Sequence, residues 1–289
     1  MRRLTAAVCV AVVAALAGCD RNGTPDSLFE SAGYHVRGDS VFYLQAFPGR
    51  AVEVDGADAG SFDPLDRTFA KDRSTVYVDG RPLPDADPTT FELLDRPDFA
   101  KDGEHVYQRD TVLSDDPDHF ELLDGNLAKD SDAVYWSDGR ILSDDPAHFR
   151  IVSDSDYYLF TRDDHVVHVN GNPVAGADPA TFRVLGGGYS RDDHGIFYFT
   201  DRIAEADPRT FEVLEAPFAR DARHGYWMGK PVPDADGATF HVLNAPFECS
   251  ADETHAYYRD DVIVDADPRS FPPGHAVTGC SETSVFLAP

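Results

Sequence analysis

Three sets of residues in this sequence have the type and spacing for chemistry: acidic pairs ahead of proline, recurring histidines, and two cysteines near the end. The acidic pairs, such as Asp85-Ala86-Asp87 and Ser114-Asp115-Asp116, would offer hard oxygen ligands to Ca²⁺. They stand without an EF-hand loop or a glycine-rich nonapeptide repeat. An aspartate before proline also has a local use, because its carboxylate accepts backbone N–H groups at the start of a turn. His119 and His148 fill the same D-P-x-H-F slot in neighbouring segments, so stacking would bring two imidazoles together as Zn²⁺ or Cu²⁺ ligands. The metal candidates are therefore His119, His148, Asp85 and Asp87, each with an alternative use as a cap or a surface side chain. His165 and His168 form an H-x-x-H pair, which on a strand points to opposite faces.

Enzyme signatures are missing. The sequence has no G-x-S-x-G elbow, H-E-x-x-H, P-loop or G-x-G-x-x-G, and Gly186-Gly187-Gly188 lacks the helix and lysine of a phosphate cradle. Carboxylate pairs are so frequent that no glycosidase pair can be chosen without geometry. No catalytic residue and no cofactor is nominated.

Residues 1–19 have the layout of a lipoprotein export signal: Arg2 and Arg3, an apolar Ala6–Leu16 stretch, then Leu16-Ala17-Gly18-Cys19. The stretch is short for a span of about 20 residues, and Cys19 is the expected lipid attachment point. Asp20 follows it, which favours inner-membrane retention in some bacteria only, so neither membrane is chosen. Residues 20–32 are polar with Gly, Pro and Ser, as in a flexible tether. Cys249 and Cys280 remain, and in an exported chain they are expected to form a disulfide. Such a bond adds roughly 3 kcal/mol in the loop-entropy model.

Positioning these groups falls to a repeat. Phe62, Phe91, Phe120, Phe149, Phe182, Phe211, Phe240 and Phe271 recur at a nearly constant spacing of about 30 residues. Most close the phrase D-P-x-(T/S/H)-F, and DADGATF at 234–240 carries Gly in place of Pro. Within one unit, Phe91–Leu94, Asp98–Lys101, His105–Gln108 and Thr111–Leu113 have strand character, and Asp79-Gly80, Asp138-Gly139 and Asn170-Gly171 are hairpin turns. Without a long helical period, the class is all-β. A lone hairpin cannot bury its apolar face, so units must stack on the eight phenylalanines, on Tyr77, Tyr107, Tyr135, Tyr226 and Tyr257, and on Leu94, Leu123, Val184, Leu185, Leu214 and Leu243. Residues 33–289 are then one β-repeat domain of about eight units, stacked as an open solenoid-like array. A closed propeller-like ring is the alternative, though a unit of about 30 residues is short for a four-stranded blade.

A second phrase runs AKDRSTVY (70–77), AKDGEHVY (100–107) and AKDSDAVY (128–135), softening to TRDDHVVH (161–168), SRDDHGIF (190–197) and ARDARHGY (219–226). Together with the D-P-x-(S/T)-F turn, it resembles the bacterial DKNYY repeat family over nearly all of residues 34–289. The resemblance implies an exported or lipid-anchored scaffold, and it supplies no catalytic residues to carry over.

Loss of the signal takes the 25 basic side chains to 23 against 52 acidic ones, about −29 in formal charge. That charge excludes nucleic acid as a partner and favours cationic ones. The expected function is a non-enzymatic, lipid-anchored envelope protein presenting an acidic surface to a protein or peptide. Tyr158, Phe199, Trp136 and Trp227 are candidate contact points. Metal or small-ligand capture is the alternative, and an envelope hydrolase the second alternative.

Overall fold

The computed structural model describes residues 23–155, 157–272 and 275–288. Among them, every repeat resolves into one small antiparallel sheet. Residues 92–114 are representative, with strands Glu92–Leu93, Phe99–Lys101, Val106–Gln108 and Thr111–Ser114 paired in chain order. Ala100 pairs with Leu93 on one side and with Tyr107 on the other. The four extended segments read from the sequence therefore join a single sheet. Four strands fit into so short a repeat because each is only two to four residues long.

Burial explains the local sequence. The middle two strands of each sheet are covered on both faces, so Val76, Tyr77 and Val78 are all buried in a row rather than alternating. The outer strands are more exposed and carry charge, as Glu92–Leu93 and Arg81–Leu83 do, although Leu83 itself turns into the core. The hairpin tips turn as the Asp-Gly and Asn-Gly pairs require, with φ of 49° at Asp79, 77° at Gly80, 47° at Asn170 and 73° at Gly171.

The chain divides into two compact units between Pro117 and Asp118. The first contains a three-stranded sheet over residues 33–53 and four-stranded sheets over 63–83 and 92–114. The second contains four-stranded sheets over 121–143, 150–173, 183–203, 212–231 and 241–262, then a two-stranded hairpin over 277–287.

Inside each unit the sheets meet through sandwiched rings. Phe91 lies 5.6 Å from Phe69 of the preceding sheet and 5.8 Å from Tyr107 of the next. The same triplet recurs as Tyr34–Phe62–Tyr77, Phe160–Phe182–Phe197, Tyr189–Phe211–Tyr226 and Phe218–Phe240–Tyr257. The expected ladder needs one adjustment. Phe91, Phe149, Phe182 and Phe240 are buried, whereas Phe62, Phe120, Phe211 and Phe271 are only half-buried at the edge of the stack. The leucine and valine positions expected beside them are half-buried too. The fully enclosed rings include Phe69, Phe160, Tyr189 and Phe218, which lie on the second strand of their sheets.

In the last four-stranded sheet the corresponding position is Cys249, and it is bonded to Cys280 of the terminal hairpin with a Cα–Cα distance of 5.7 Å. Asn244 Nδ2 donates to the Val277 carbonyl at 2.9 Å beside it. A covalent bond thus stands where the other four-stranded sheets place a ring or, at Leu127, a leucine.

Candidate functional site

The most chemically dense feature is the carboxylate of the D-x-x-x-x-Y phrase. Asp72, Asp102, Asp130, Asp163, Asp192, Asp221 and Asp252 are all buried. Asp72 Oδ1 accepts the N–H groups of Ser74 and Thr75, at 2.8 and 2.9 Å, which shapes the loop after it. Its Oδ2 accepts the Tyr77 hydroxyl at 2.8 Å and the N–H of Asp58 in the preceding turn at 3.0 Å. The arrangement repeats at Asp102 with Tyr107 and Asp87, at Asp221 with Tyr226 and Asp207, and at Asp252 with Tyr257 and Asp236.

These bonds decide the ionisation. Burial works against the charged form of Asp72, but the donated N–H groups and the Tyr77 hydroxyl outweigh it and hold the carboxyl down to about 2. Asp102, Asp221 and Asp252 shift downward for the same reasons. Burial, then the carboxylate, pushes Tyr77 up to about 12. A phenol this hard to ionise, bonded to a carboxylate this hard to protonate, is a fixed strut rather than an acid–base pair.

The turn phrase completes the strut. Asp87 Oδ1 accepts the Thr89 N–H at 2.9 Å, and Oδ2 accepts the Thr90 hydroxyl at 3.0 Å. Thr90 Oγ1 in turn accepts the Gly103 N–H at 3.0 Å, in the loop of the next sheet. Ser61, Thr181, Thr210 and Thr239 make the same bridge to Arg73, Asp193, Ala222 and Glu253. The motif lysine reaches over the turn as well: Lys71 Nζ donates to the carbonyls of Pro88 and Phe91 at 2.9 and 3.0 Å. Arg220 makes an equivalent bond to the Phe240 carbonyl, so Arg replaces Lys here without loss of the contact.

Two departures are compensated. At 143–145 the Asp145 N–H donates to Ser143 Oγ, whose hydroxyl donates at 2.6 Å to Asp163 Oδ2. Ser143 thereby relays the bond that Asp72, Asp102, Asp192, Asp221 and Asp252 make directly, and at 114–116 the Asp116 N–H likewise donates to a serine, Ser114. His168 stands in the tyrosine position. Burial lowers the His168 pKa, and its Nδ1 has no partner among the described residues. At 237 the missing proline has a steric reason. Gly237 N donates to the Arg223 carbonyl, and a Cβ there would lie 2.4 Å from both Asp221 O and His224 N.

The proposed ligands are placed as follows. Both oxygens of Asp87 are engaged in its own turn, and Asp85 sits exposed at a φ of 63°. His148 Nδ1 lies 2.8 and 2.9 Å from the two oxygens of Asp145. The hydrogen bond and charge of Asp145, then the charge of Asp164, raise the His148 pKa. Asp164 Oδ2 is 3.6 Å from His148 Nδ1, and His165 Nδ1 is 3.9 Å from Asp145 Oδ2. His165 is exposed in the loop between strands Tyr158–Arg162 and Val167–Val169, and His168 is buried on the second of them, so the expected strand spacing does not apply to the pair.

The aromatic contact candidates pack inward. Tyr158 and Phe199 meet edge-on at 5.0 Å, Trp136 lies under Arg140, and Trp227 lies under Arg259. A groove in the first unit is lined by Tyr43, Gln45, Asp79, Arg81 and Arg109. Its Tyr43 hydroxyl donates to Asp79, and Arg109 pairs with Asp79 and Asp98, which leaves no nucleophile poised beside a base there. Cys19 and residues 1–18 lie outside the described residues. Among the described residues no helix is long and apolar enough to cross a membrane.

Comparison with known proteins gives one positive finding. The model of the DKNYY family matches residues 34–165 and again 160–274. No curated protein and no solved structure matches the chain.

Proposed function

The chain belongs to the DKNYY family, and on that premise we propose that it is a non-enzymatic, lipid-anchored protein of the bacterial cell envelope that presents an acidic, repeat-built surface to a cationic protein or peptide. The observation that carries the reading is a division of labour within each repeat. The recurring Asp, Tyr, Lys/Arg and Ser/Thr are bonded to one another, and seven motif aspartates are buried. The two residues after each motif aspartate lie exposed and vary along the chain, with only the Asp-His pair occurring twice: Arg73-Ser74, Gly103-Glu104, Ser131-Asp132, Asp164-His165, Asp193-His194, Ala222-Arg223 and Glu253-Thr254. A constant interior with a variable loop at a constant position is how repeat proteins build recognition surfaces. A formal charge of −27 over the whole sequence favours cationic partners and opposes nucleic acid. Attachment through Cys19 rests on the Leu16-Ala17-Gly18-Cys19 sequence and the polar segment after it.

The test is in-cell cross-linking of the full chain, affinity capture and mass spectrometry, with Cys19→Ser as the mislocalised control. A discrete partner that is captured by the native chain and lost from the control is the expected result. Capture that survives the combined loop substitutions Glu104→Lys, Asp132→Lys and Asp193→Lys would refute the acidic loops as the contact surface.

A further inference from the structure

The junction between residues 145 and 165 departs from the repeat's own rule on both sides. At most junctions the third residue after the turn aspartate is Ser or Thr, which bonds that aspartate and accepts an N–H from the next loop. Here it is His148, held on the Asp145 carboxylate. The loop that faces it contributes a second carboxylate and a second imidazole, Asp164 and His165. The adjacent junctions divide these groups differently: 116–132 has His119 in the turn but Ser131-Asp132 in the loop, and 178–194 has His194 in the loop but keeps Thr181 in the turn. Among the described residues, three metal-ligating groups converge only at this junction. Atoms of Asp145, His148 and Asp164 all lie within 4.8 Å of one another.

We infer that Asp145, His148, Asp164 and His165 form a binding site for a borderline divalent transition metal, Zn²⁺ or Cu²⁺, that ties the turn of one repeat to the loop of the next. The chemistry selects the ion. Two imidazoles beside two carboxylates match the N/O ligand sets of zinc and copper, whereas Ca²⁺ takes six to eight oxygens. Bonds of about 2.0–2.1 Å at the tetrahedral angle need ligand–ligand edges of about 3.3 Å. His148 lies 2.8 Å from Asp145 and 3.6 Å from Asp164, and His165, outside that group of three, lies 3.9 Å from Asp145 as the ligand that closes on the ion. On binding, His148 Nδ1 gives up its proton to solvent and the ion takes the proton's place between the ring and Asp145. Asp145 is the inner ligand, with a side chain 17 % accessible, while Asp164 and His148 at 58 % and His165 at 74 % leave the ion an entry path. Two carboxylates neutralise its charge. The ion then replaces the Ser/Thr bridge that this junction lacks. This inference is independent of any partner at the acidic loops.

The test is titration of the chelator-stripped full chain in detergent with ZnCl₂ by calorimetry, with a melting curve at each zinc concentration. Native chain is expected to bind about one equivalent and to melt higher with zinc. His148→Thr restores the bridge of the other junctions and so keeps the fold intact. It is expected to lose at least tenfold in affinity and the zinc-dependent rise in Tm. His165→Ser is expected to lose affinity likewise, and His119→Thr to change nothing. No heat of binding in the native chain would overturn the inference. So would zinc affinity unchanged in both His148→Thr and His165→Ser, or equal competition by Ca²⁺.

Discussion

Tyr77→Phe isolates the strut between buried tyrosine and buried carboxylate. The substitution deletes one hydroxyl and keeps the ring, which packs 5.5 Å from Phe62. What is lost is a 2.8 Å bond from the phenol to Asp72 Oδ2; that oxygen keeps the Asp58 N–H at 3.0 Å. A hydrogen bond to a charged group contributes about 1.5–3 kcal/mol. With one donor retained on the same oxygen, the low end applies, about 1.5 kcal/mol. The same bond helps to depress Asp72 from 3.8 to about 2, a shift that corresponds to roughly 2 kcal/mol at neutral pH. A carboxyl whose pKa is lowered by folding gives stability that is present above its unfolded value of about 4. That stability is lost as pH falls through the folded value near 2. Removing the phenol raises the folded pKa and narrows that gap. Urea denaturation of both chains between pH 7 and pH 2.5 is therefore expected to show a penalty of about 1.5 kcal/mol at neutral pH that shrinks below pH 4. The converse substitution is Phe197→Tyr, at the position where Asp192 Oδ2 accepts the Asp178 N–H and the facing ring has no hydroxyl to offer. It is expected to add about 1 kcal/mol. A penalty for Tyr77→Phe that stays constant down to pH 2.5 would assign the loss to packing and refute the strut. A Phe197→Tyr chain with native fold and no gain would refute it equally.

Three further outcomes follow from the geometry. Gly237→Pro restores the repeat's usual residue yet is expected to destabilise by at least about 2 kcal/mol, because it removes the donor to Arg223 O and adds atoms against backbone at 2.4 Å; a midpoint equal to or above native would contradict the steric account. Ser143→Ala breaks the relay between Asp145 and buried Asp163, with an expected cost of about 2 kcal/mol that Ser143→Thr recovers at least in part, both read from urea midpoints. Reduction of Cys249–Cys280 is expected to remove roughly 3–4 kcal/mol in the loop-entropy model. Because repeats are coupled mainly to their neighbours, hydrogen exchange should speed up in residues 241–287 and stay unchanged in residues 63–114.

The repeat, its all-β class, its hairpin turns and the disulfide were legible because each is written in local sequence. Asp79-Gly80 needs a positive φ wherever it stands, and the aspartate before Pro88 caps its own turn. The partners of the motif aspartates were not legible, since Asp72 meets Asp58 only once two turns are in register. The same limit hid Phe69 and Phe218 as the enclosed rings and left Phe62 and Phe211 half-covered. Identical positions in adjacent units set His148 beside His119 in the sequence reading, while the carboxylate that meets its ring from across the junction, Asp164, belongs to the loop after the next motif aspartate. The general rule, that the third turn residue meets the loop directly after the next motif aspartate whatever the spacing, is visible only in bridges such as those of Thr90, Thr181 and Thr239.

The bond from motif aspartate to preceding turn spans 14 to 16 residues where it is direct, as from Asp58–Asp72 to Asp236–Asp252, and 20 where Ser143 relays it to Asp163. A structure held by such short-range ties has an adjustable length. Duplicating or excising one whole copy ahead of Cys249 leaves every remaining turn with its own aspartate. Insertion between Cys249 and Cys280 does not, because that segment is measured by a covalent bond. Growth of this molecule by gene duplication is therefore confined to its interior, with the disulfide-bonded hairpin carried along unchanged.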